Sequence, residues 1–139
     1  MKLIMMAPSG APLLDGEALI GAARERFGER TRVQPSPSDW DTDFHIYVTL
    51  DGETLTISHY PDGTSMGVES GDAEVADAVA WLRSLLPPDF PRVIACDGGW
   101  NGHVDLSPGI TADEVMANWV DHSVPGWDAG DPDVAPPAE

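Results

Sequence analysis

The most regular pattern in this sequence is an alternation of apolar and polar residues between positions 44 and 69. Because successive side chains of a β-strand point to opposite faces of a sheet, this alternation predicts strands that bury one face. Asp51-Gly52 and Asp62-Gly63 interrupt it, and both dipeptides are typical of tight turns. The stretch therefore predicts a three-stranded antiparallel meander. Its expected apolar face consists of Phe44, Ile46, Val48, Leu50, Leu55, Ile57, Met66 and Val68.

Helical spacing of apolar residues predicts three helices, at about residues 15–27, 70–86 and 111–122. Asp15 is suited to cap the first helix, and Thr111-Ala112-Asp113-Glu114 has the spacing of a capping box at the start of the third. A meander cannot bury its apolar face alone, so we expect the helices to cover that face. The second helix should contribute Val75, Val79, Leu82 and Leu86.

Short apolar runs bounded by proline, glycine and serine predict further strands, which gives the element order β-α-β-β-β-β-α-β-β-α. This order predicts an α+β fold: one two-layer domain with a mainly antiparallel, twisted sheet and about three helices. The additional strands are expected near residues 2–7, 32–35, 92–96 and 103–107.

Length and composition are those of a single domain. The chain has 139 residues, of which 42% are hydrophobic, and one cysteine, Cys96. We expect the domain to span residues 1–122. Residues 123–139 are rich in proline, glycine and aspartate and should form a flexible acidic tail. With no disulfide framework, no signal-peptide core and no apolar run of bilayer length, we expect a cytoplasmic protein.

The charge is strongly negative and unevenly distributed. There are 24 acidic and 7 basic residues, and residues 33–139 hold 20 of the acids with only Arg83 and Arg92, a formal charge of −18. Such a surface repels nucleic acid and anionic membranes and attracts a basic partner. The alternative is that the charge serves solubility alone or reflects a salty cytoplasm.

No common catalytic signature is present: there is no phosphate-binding loop, no dinucleotide fingerprint and no zinc-protease motif. Asp39, Asp41 and Asp43 form a D-x-D-x-D run, but a calcium loop would need glycine and glutamate where Phe44 and Leu50 stand. A solvated acidic loop is favoured over a divalent-cation site. We therefore expect no cofactor, no bound metal and no catalytic residues.

Histidine and cysteine give few indications of a site. His45, His59, His103 and His122 lack close metal-ligand spacing, and His59 falls on the apolar side of its strand. Cys96 faces His103 across a presumed hairpin. A buried structural cysteine is favoured over a nucleophile, because no neighbouring motif supplies an activating base and an oxyanion hole.

Trp40, Trp100 and Trp127 lie in predicted loops or the tail, next to acidic residues. Tryptophan is enriched in protein interfaces, and acidic neighbours would suit a basic partner. The alternative is that each indole folds back over the core. The residues expected to bind a partner are Asp39, Trp40, Asp41, Asp43, Tyr47, Tyr60, Asp97 and Trp100.

In size, acidity and α+β order over residues 1–122, the chain resembles the small acidic immunity proteins that bacteria make against their own polymorphic toxins. The resemblance implies an inhibitor that binds a basic toxin domain, such as a nuclease, and it assigns no individual residue. One alternative is a small-ligand-binding protein or enzyme that uses a polar sheet face, with candidates His45, Tyr47, Tyr60 and His103. Another is a housekeeping domain with a generic acidic surface.

Overall fold

The structure is a computed structural model, and it describes residues 1–129 and 131. Within this part of the chain, three α-helices and a short 3₁₀-helix (Gly28–Arg30) accompany one eight-stranded antiparallel sheet, which confirms the α+β prediction. The elements are β1 (Lys2–Met6), α1 (Gly16–Phe27), β2 (Thr31–Pro35), β3 (Phe44–Leu50), β4 (Glu53–His59), β5 (Ser65–Glu69), α2 (Asp72–Ser84), β6 (Ile94–Cys96), β7 (Gly102–Asp105), α3 (Ala112–Ala117) and β8 (Val120–Asp121).

The strand order is β2-β3-β4-β5-β1-β6-β7-β8, so the first strand of the chain lies inside the sheet. On one side Met5 of β1 is opposite Met66 of β5, and on the other side it is opposite Ala95 of β6. The predicted meander forms β3, β4 and β5, with Ile46 paired to Ile57 and Ile57 to Val68. The sheet therefore consists of two antiparallel halves joined by β1.

All three helices cover the same face of the sheet. Leu19 of α1, Val79 of α2 and Val115 of α3 belong to one buried apolar cluster with the inward-facing side chains of the strands. The alternation predicted for the meander is confirmed, because its inward residues are buried in this cluster while their neighbours face the other way. The completely buried strand residues are Met5, Ile46, Val48, Ile57, Met66, Val68, Ala95 and Val104.

The predicted caps begin the first and third helices. Asp15 Oδ1 accepts a hydrogen bond from the Ala18 backbone N–H at 2.7 Å. Thr111 and Glu114 form both bonds of the capping box. These bonds satisfy backbone donors that the first turn of a helix leaves without partners.

The third helix is shorter than predicted, because it ends at Ala117 and not at His122. The chain beyond it pairs with β7, where Val120 lies opposite His103, and these strand hydrogen bonds replace helical ones. Trp119 lies against Gly102, and a Cβ atom at that glycine would be 2.3 Å from the indole nitrogen. Glycine is therefore required there for the close approach of the tryptophan.

Arg83 is buried although it carries a charge, with 3% of its surface exposed. Its Nε donates to the Leu106 carbonyl at 2.8 Å, and one terminal nitrogen donates to the carbonyls of Leu86 and Pro87 at 3.3 Å. The carbonyls of Leu86 and Pro87 follow the C-terminus of α2, where the helix dipole favours a cation. The residue ties this helix to the segment after β7.

None of the helices in the described residues is both long enough and apolar enough to cross a bilayer.

Because one face of the sheet is buried and the other is not, neighbouring substitutions in β4 should lower stability by unequal amounts. Ile57→Ala should lower the free energy of unfolding by about 2–4 kcal/mol, because it opens a cavity in the core. Thr56→Ala, one residue earlier on the opposite face, should cost less than about 1 kcal/mol. Urea denaturation of both variants tests this. Equal losses would contradict the assignment of the two faces.

Candidate functional site

The face of the sheet opposite the helices has two chemically different halves. Strands β2 to β5 present mainly polar side chains there, strands β1 and β6 present mainly apolar ones, and β7 presents His103 and Asp105. The polar half includes Arg32, His45, Tyr47, Thr56, Ser58 and Glu69, and the apolar half includes Ile4, Met6, Ile94 and Cys96.

The polar half carries an aromatic row beside the β2–β3 loop. Trp40 is 54% exposed and packs edge-on against His45, with ring centroids 5.4 Å apart. His45 in turn stacks on Tyr47 at 6.1 Å, and the Arg32 guanidinium lies 4.9 Å from the centre of the Tyr47 ring. We define the Trp40 surface as Asp39, Trp40, Asp41, His45 and Tyr47.

The loop that holds this surface is fixed by several hydrogen bonds. Ser36 Oγ bonds Thr42 Oγ1 at 2.8 Å and His45 Nδ1 at 3.1 Å, and the Ser36 backbone N–H donates to the Asp43 carbonyl. The Trp40 backbone N–H donates to the Pro37 carbonyl at 3.1 Å. The exposed indole is therefore carried on an ordered loop.

Asp43 makes a contact with the core that its neighbours Asp39 and Asp41 do not make. Its Oδ1 lies 2.8 Å from Nδ1 of His59, which is 3% exposed and on the helix-covered face. His59 also bonds the Leu14 carbonyl through Nε2 and stacks on Phe44 at 4.8 Å. Asp43 thus anchors the loop to the core, while Asp39 and Asp41 remain exposed.

A polar concavity of about 240 Å³ adjoins the Trp40 surface. Its walls include Lys2, His45, Tyr47, Thr56 and Glu69. Of the four residues proposed for an enzyme or small-ligand site, His45 and Tyr47 line this concavity. Tyr60 follows the end of β4 and does not line it, and His103 lies on β7, so the four residues do not form one site.

The residues predicted to bind a partner fall into separate groups. Trp40 and Tyr47 belong to the β3 side of the sheet, whereas Asp97 and Trp100 lie in the β6–β7 turn. β3 and β7 are five inter-strand steps apart, or roughly 24 Å at about 4.8 Å per step. Asp97 Oδ1 accepts from the Asn101 backbone N–H at 2.7 Å, which stabilises the turn. The role of all the predicted residues in partner binding stays a prediction.

A second aromatic group, the Trp100 cluster, consists of Trp100, His103, His122 and Trp127. Trp127 stacks on His122 with centroids 3.6 Å apart, and Trp100 stacks on His103 at 5.6 Å. Trp127 comes from the predicted tail, so part of that segment packs against the domain in a series of turns. The predicted flexibility of Gly130 and of residues 132–139 lies outside the described residues.

Hydrogen bonds within this cluster determine the tautomers of its histidines. His122 Nδ1 lies 2.7 Å from the Trp100 carbonyl oxygen, which can only accept, so His122 donates from Nδ1. His122 Nε2 lies 2.7 Å from His103 Nδ1. When both rings are neutral, His122 Nε2 must accept and His103 Nδ1 must donate. The remaining nitrogen, Nε2 of His103, is then an acceptor.

The surroundings of His103 disfavour its charged form. The residue is 3% exposed, and burial lowers the pKa of its imidazole below the usual value of 6.5, with the neighbouring His122 adding to the effect. Asp131 Oδ2 lies 3.9 Å from His103 Nε2. Asp131 is held by Arg92 at 2.7 and 3.0 Å, and Arg92 also bonds Asp105.

Neither Cys96 nor the acidic loop at residues 39–43 has the surroundings that its suggested chemistry requires, which would be thiol attack for Cys96 and metal binding for the loop. The Cys96 thiol donates to the Ile4 carbonyl at 3.7 Å, and burial raises its pKa, with Asp97 adding to the shift. A thiol held in its protonated form is a weak nucleophile. Within the described residues, His, Cys, Asp and Glu side chains form no group of three or more suited to a metal ion.

The histidine pairing and the Arg92–Asp131 contact were not foreseen from the sequence. Their partners are 19 and 39 positions apart, and no motif with a fixed spacing connects them. The only indication in the sequence was compositional, since three tryptophans and two histidines occur between residues 100 and 127.

No protein-family model matches this chain, and no curated protein or solved structure shows significant similarity to it.

The hydrogen-bond chain predicts one tautomer for both cluster histidines. At pH 7.5, nitrogen-15 chemical shifts should show a protonated Nδ1 and an unprotonated Nε2 in His103 and in His122. In His122→Phe, His103 loses its acceptor and should show a mixture of tautomers. A protonated Nε2 on neutral His103 in the wild-type protein would contradict the arrangement.

The lowered pKa of His103 predicts a loss of stability on acidification. The unfolded chain binds a proton at this residue near pH 6.5, whereas the folded protein resists it. The free energy of unfolding should therefore fall as the pH decreases below about 6.5. Urea denaturation at pH 7.5 and 5.5 measures the difference. His103→Gln should reduce it, with His45→Gln as the control for removal of a histidine elsewhere.

Proposed function

We propose that this chain is an acidic protein-binding module of the immunity or inhibitor type, which recognises a basic protein partner, such as a toxin domain, in the cytoplasm. The observation that carries the proposal is the Trp40 surface: an indole more than half exposed, fixed on an ordered loop and flanked by the exposed carboxylates of Asp39 and Asp41.

The exposure of Trp40 argues against a role as a lid over the core. The indole packs on His45 on the sheet face that no helix covers, and the core beneath the helices is closed without it. A large apolar group left in water has an unfavourable hydration free energy, which burial in a complex would remove. Tryptophan is among the residues that contribute most to binding in interfaces.

Electrostatics favour a basic partner for this surface. Asp39 and Asp41 can pair with lysine or arginine at the rim of an interface whose centre is Trp40. The formal net charge of −17 accelerates the approach of a cationic protein and opposes the approach of nucleic acid. A nuclease or a similar toxin domain, with its cationic cleft, has the complementary charge.

The proposal predicts that Trp40→Ala weakens binding to the partner by about tenfold or more, because it removes the apolar anchor. Asp39→Asn/Asp41→Asn should mainly slow association and make binding less sensitive to salt. Affinity capture from the source organism at low salt, followed by binding kinetics on the purified basic protein, tests both effects.

Matched controls lie on the opposite face. Met116 is 46% exposed on α3, and Asp113 is an exposed carboxylate of the same helix. Met116→Ala and Asp113→Asn should leave the affinity unchanged. Capture of no basic protein, or an equal loss in the α3 variants, would refute the proposed surface. If the partner is a toxin, co-expression with the wild-type chain should protect cells from it, and Trp40→Ala should protect them less.

A further inference from the structure

The polar concavity of about 240 Å³ beside the Trp40 surface is open because a glycine forms part of its floor. Gly67 lies in the middle of β5, opposite Ser58 of β4 and Ile4 of β1, and both pairings continue through it without a bulge. A Cβ atom at this position would lie 3.3 Å from Cβ of Ser58. Glycine weakens the interior of a strand, and outside bulges and bends it is found there where another group approaches the backbone closely. The side chains that surround the floor are Lys2, His45, Tyr47, Thr56 and Glu69.

Three hydroxyl groups line this concavity with hydrogen-bonding capacity to spare. They belong to Tyr47, Thr56 and Ser58. Within the part of the chain that the structure describes, none of these hydroxyls is bonded to another protein group. A hydroxyl donates one hydrogen bond and accepts others. The three groups therefore suit a ligand that both donates and accepts.

The charged groups of the lining balance each other. Lys2 and Glu69 lie directly opposite in the β1–β5 pair, and among the described residues around the concavity they alone carry a formal charge at pH 7. One positive and one negative charge sum to zero, so the lining favours neither an anion nor a cation. The ammonium group can still donate to a neutral ligand, and the carboxylate can accept from it.

One side of the concavity is aromatic. His45 and Tyr47 project from the same face of β3, with ring centroids 6.1 Å apart and 21° between the ring planes. The C–H groups of a saturated ring can pack against aromatic side chains of this kind. A sugar ring combines such C–H groups with hydroxyls that donate and accept, so it matches all three parts of the lining. The volume is just below the range of about 300–1,000 Å³ for drug-sized ligands and suits one ring.

We propose that this concavity binds one uncharged monosaccharide ring, with its hydroxyls directed to the hydroxyl and charged side chains of the lining and its C–H groups against Tyr47. The concavity adjoins the Trp40 surface, but the proposal does not depend on a protein partner. Sugar binding is measured on the purified chain alone, so either proposal can fail while the other holds.

Titration with small probes tests the chemical class of the ligand. The methyl glycosides of glucose, galactose and mannose differ in the orientation of single hydroxyls. At least one should shift the nitrogen-15 amide signals of Ser58 and Gly67, with a dissociation constant of about 1–10 mM. 2-Methoxytetrahydropyran, which has the same ring without hydroxyls, and serine, a zwitterion, should both bind at least about tenfold more weakly.

Three results of this titration would overturn the proposal. The first is the absence of any shift with all three glycosides at about 100 mM. The second is equal affinity of 2-methoxytetrahydropyran, which would reduce the concavity to an apolar surface. The third is equal affinity of serine, which would make the Lys2–Glu69 pair a site for zwitterions.

The balanced charge predicts no preference for a charged sugar. Glucosamine and glucuronate add a positive and a negative charge to the glucose ring. Neither should bind more than about threefold more tightly than the best of the three glycosides. A gain of about tenfold for either one would contradict an uncharged ligand.

Substitutions locate the site within the sheet. Thr56→Val keeps the β-branched shape and removes the hydroxyl, and Glu69→Gln keeps the size and removes the charge. Each should weaken binding by about three- to tenfold. Gly67→Val places a side chain on the floor and should abolish binding. Thr54→Val, on the same face of β4 but outside the concavity, is the matched control and should leave the affinity unchanged. Unchanged affinity in Thr56→Val and Glu69→Gln, or an equal loss in Thr54→Val, would overturn the assignment.

Discussion

The whole architecture depends on the two ladders of hydrogen bonds that β1 makes inside the sheet. All other ladders join strands that follow one another in the chain, whereas β1 pairs with β5 and β6 across most of the sequence. Closing these long loops adds little to the entropic cost, because that cost grows only with the logarithm of loop length. The pairing places the Trp40 surface and the Trp100 cluster on one continuous sheet. Without β1, the meander and the β6–β8 hairpins would be separate units with incomplete cores.

Local features of the sequence were sufficient to predict much of this fold. Alternation in the meander, the Asp15 cap and the capping box at Thr111 each depend on a few consecutive residues, and each occurs as expected. The end of α3 was predicted wrongly, because its apolar spacing continues to His122 while the edge of β7 offers competing hydrogen bonds. Local sequence patterns do not show which strand edge lies close to a given segment in the folded protein. For the same reason, the sequence did not predict that β1 lies inside the sheet or that Arg83 donates to backbone carbonyls.

The site was less predictable than the fold for a related reason. The sequence predicted that Trp40 and Trp100 lie in loops but left open whether each indole is exposed or folds back over the core, and in the structure both are exposed. It did not indicate that these loops are five strands apart, nor that the three aspartates of one short run divide their roles. Asp43 stabilises the loop through His59, and Asp39 and Asp41 face solvent. Charge alone cannot distinguish an anchoring carboxylate from one that is available to a partner.

The backbone of Trp100 has a φ of 55°, and no other residue except glycine has a positive φ in the described part of the chain. A side chain in this left-handed conformation costs roughly 1 kcal/mol or more relative to glycine, and the same turn already contains Gly98 and Gly99. A glycine would relieve this backbone cost, but it would also remove the indole, which packs on the rings of His103, His122 and Trp127. The residue therefore exchanges backbone strain for aromatic packing that joins the β6–β7 turn to the segment after β8, and it still leaves 42% of its surface exposed.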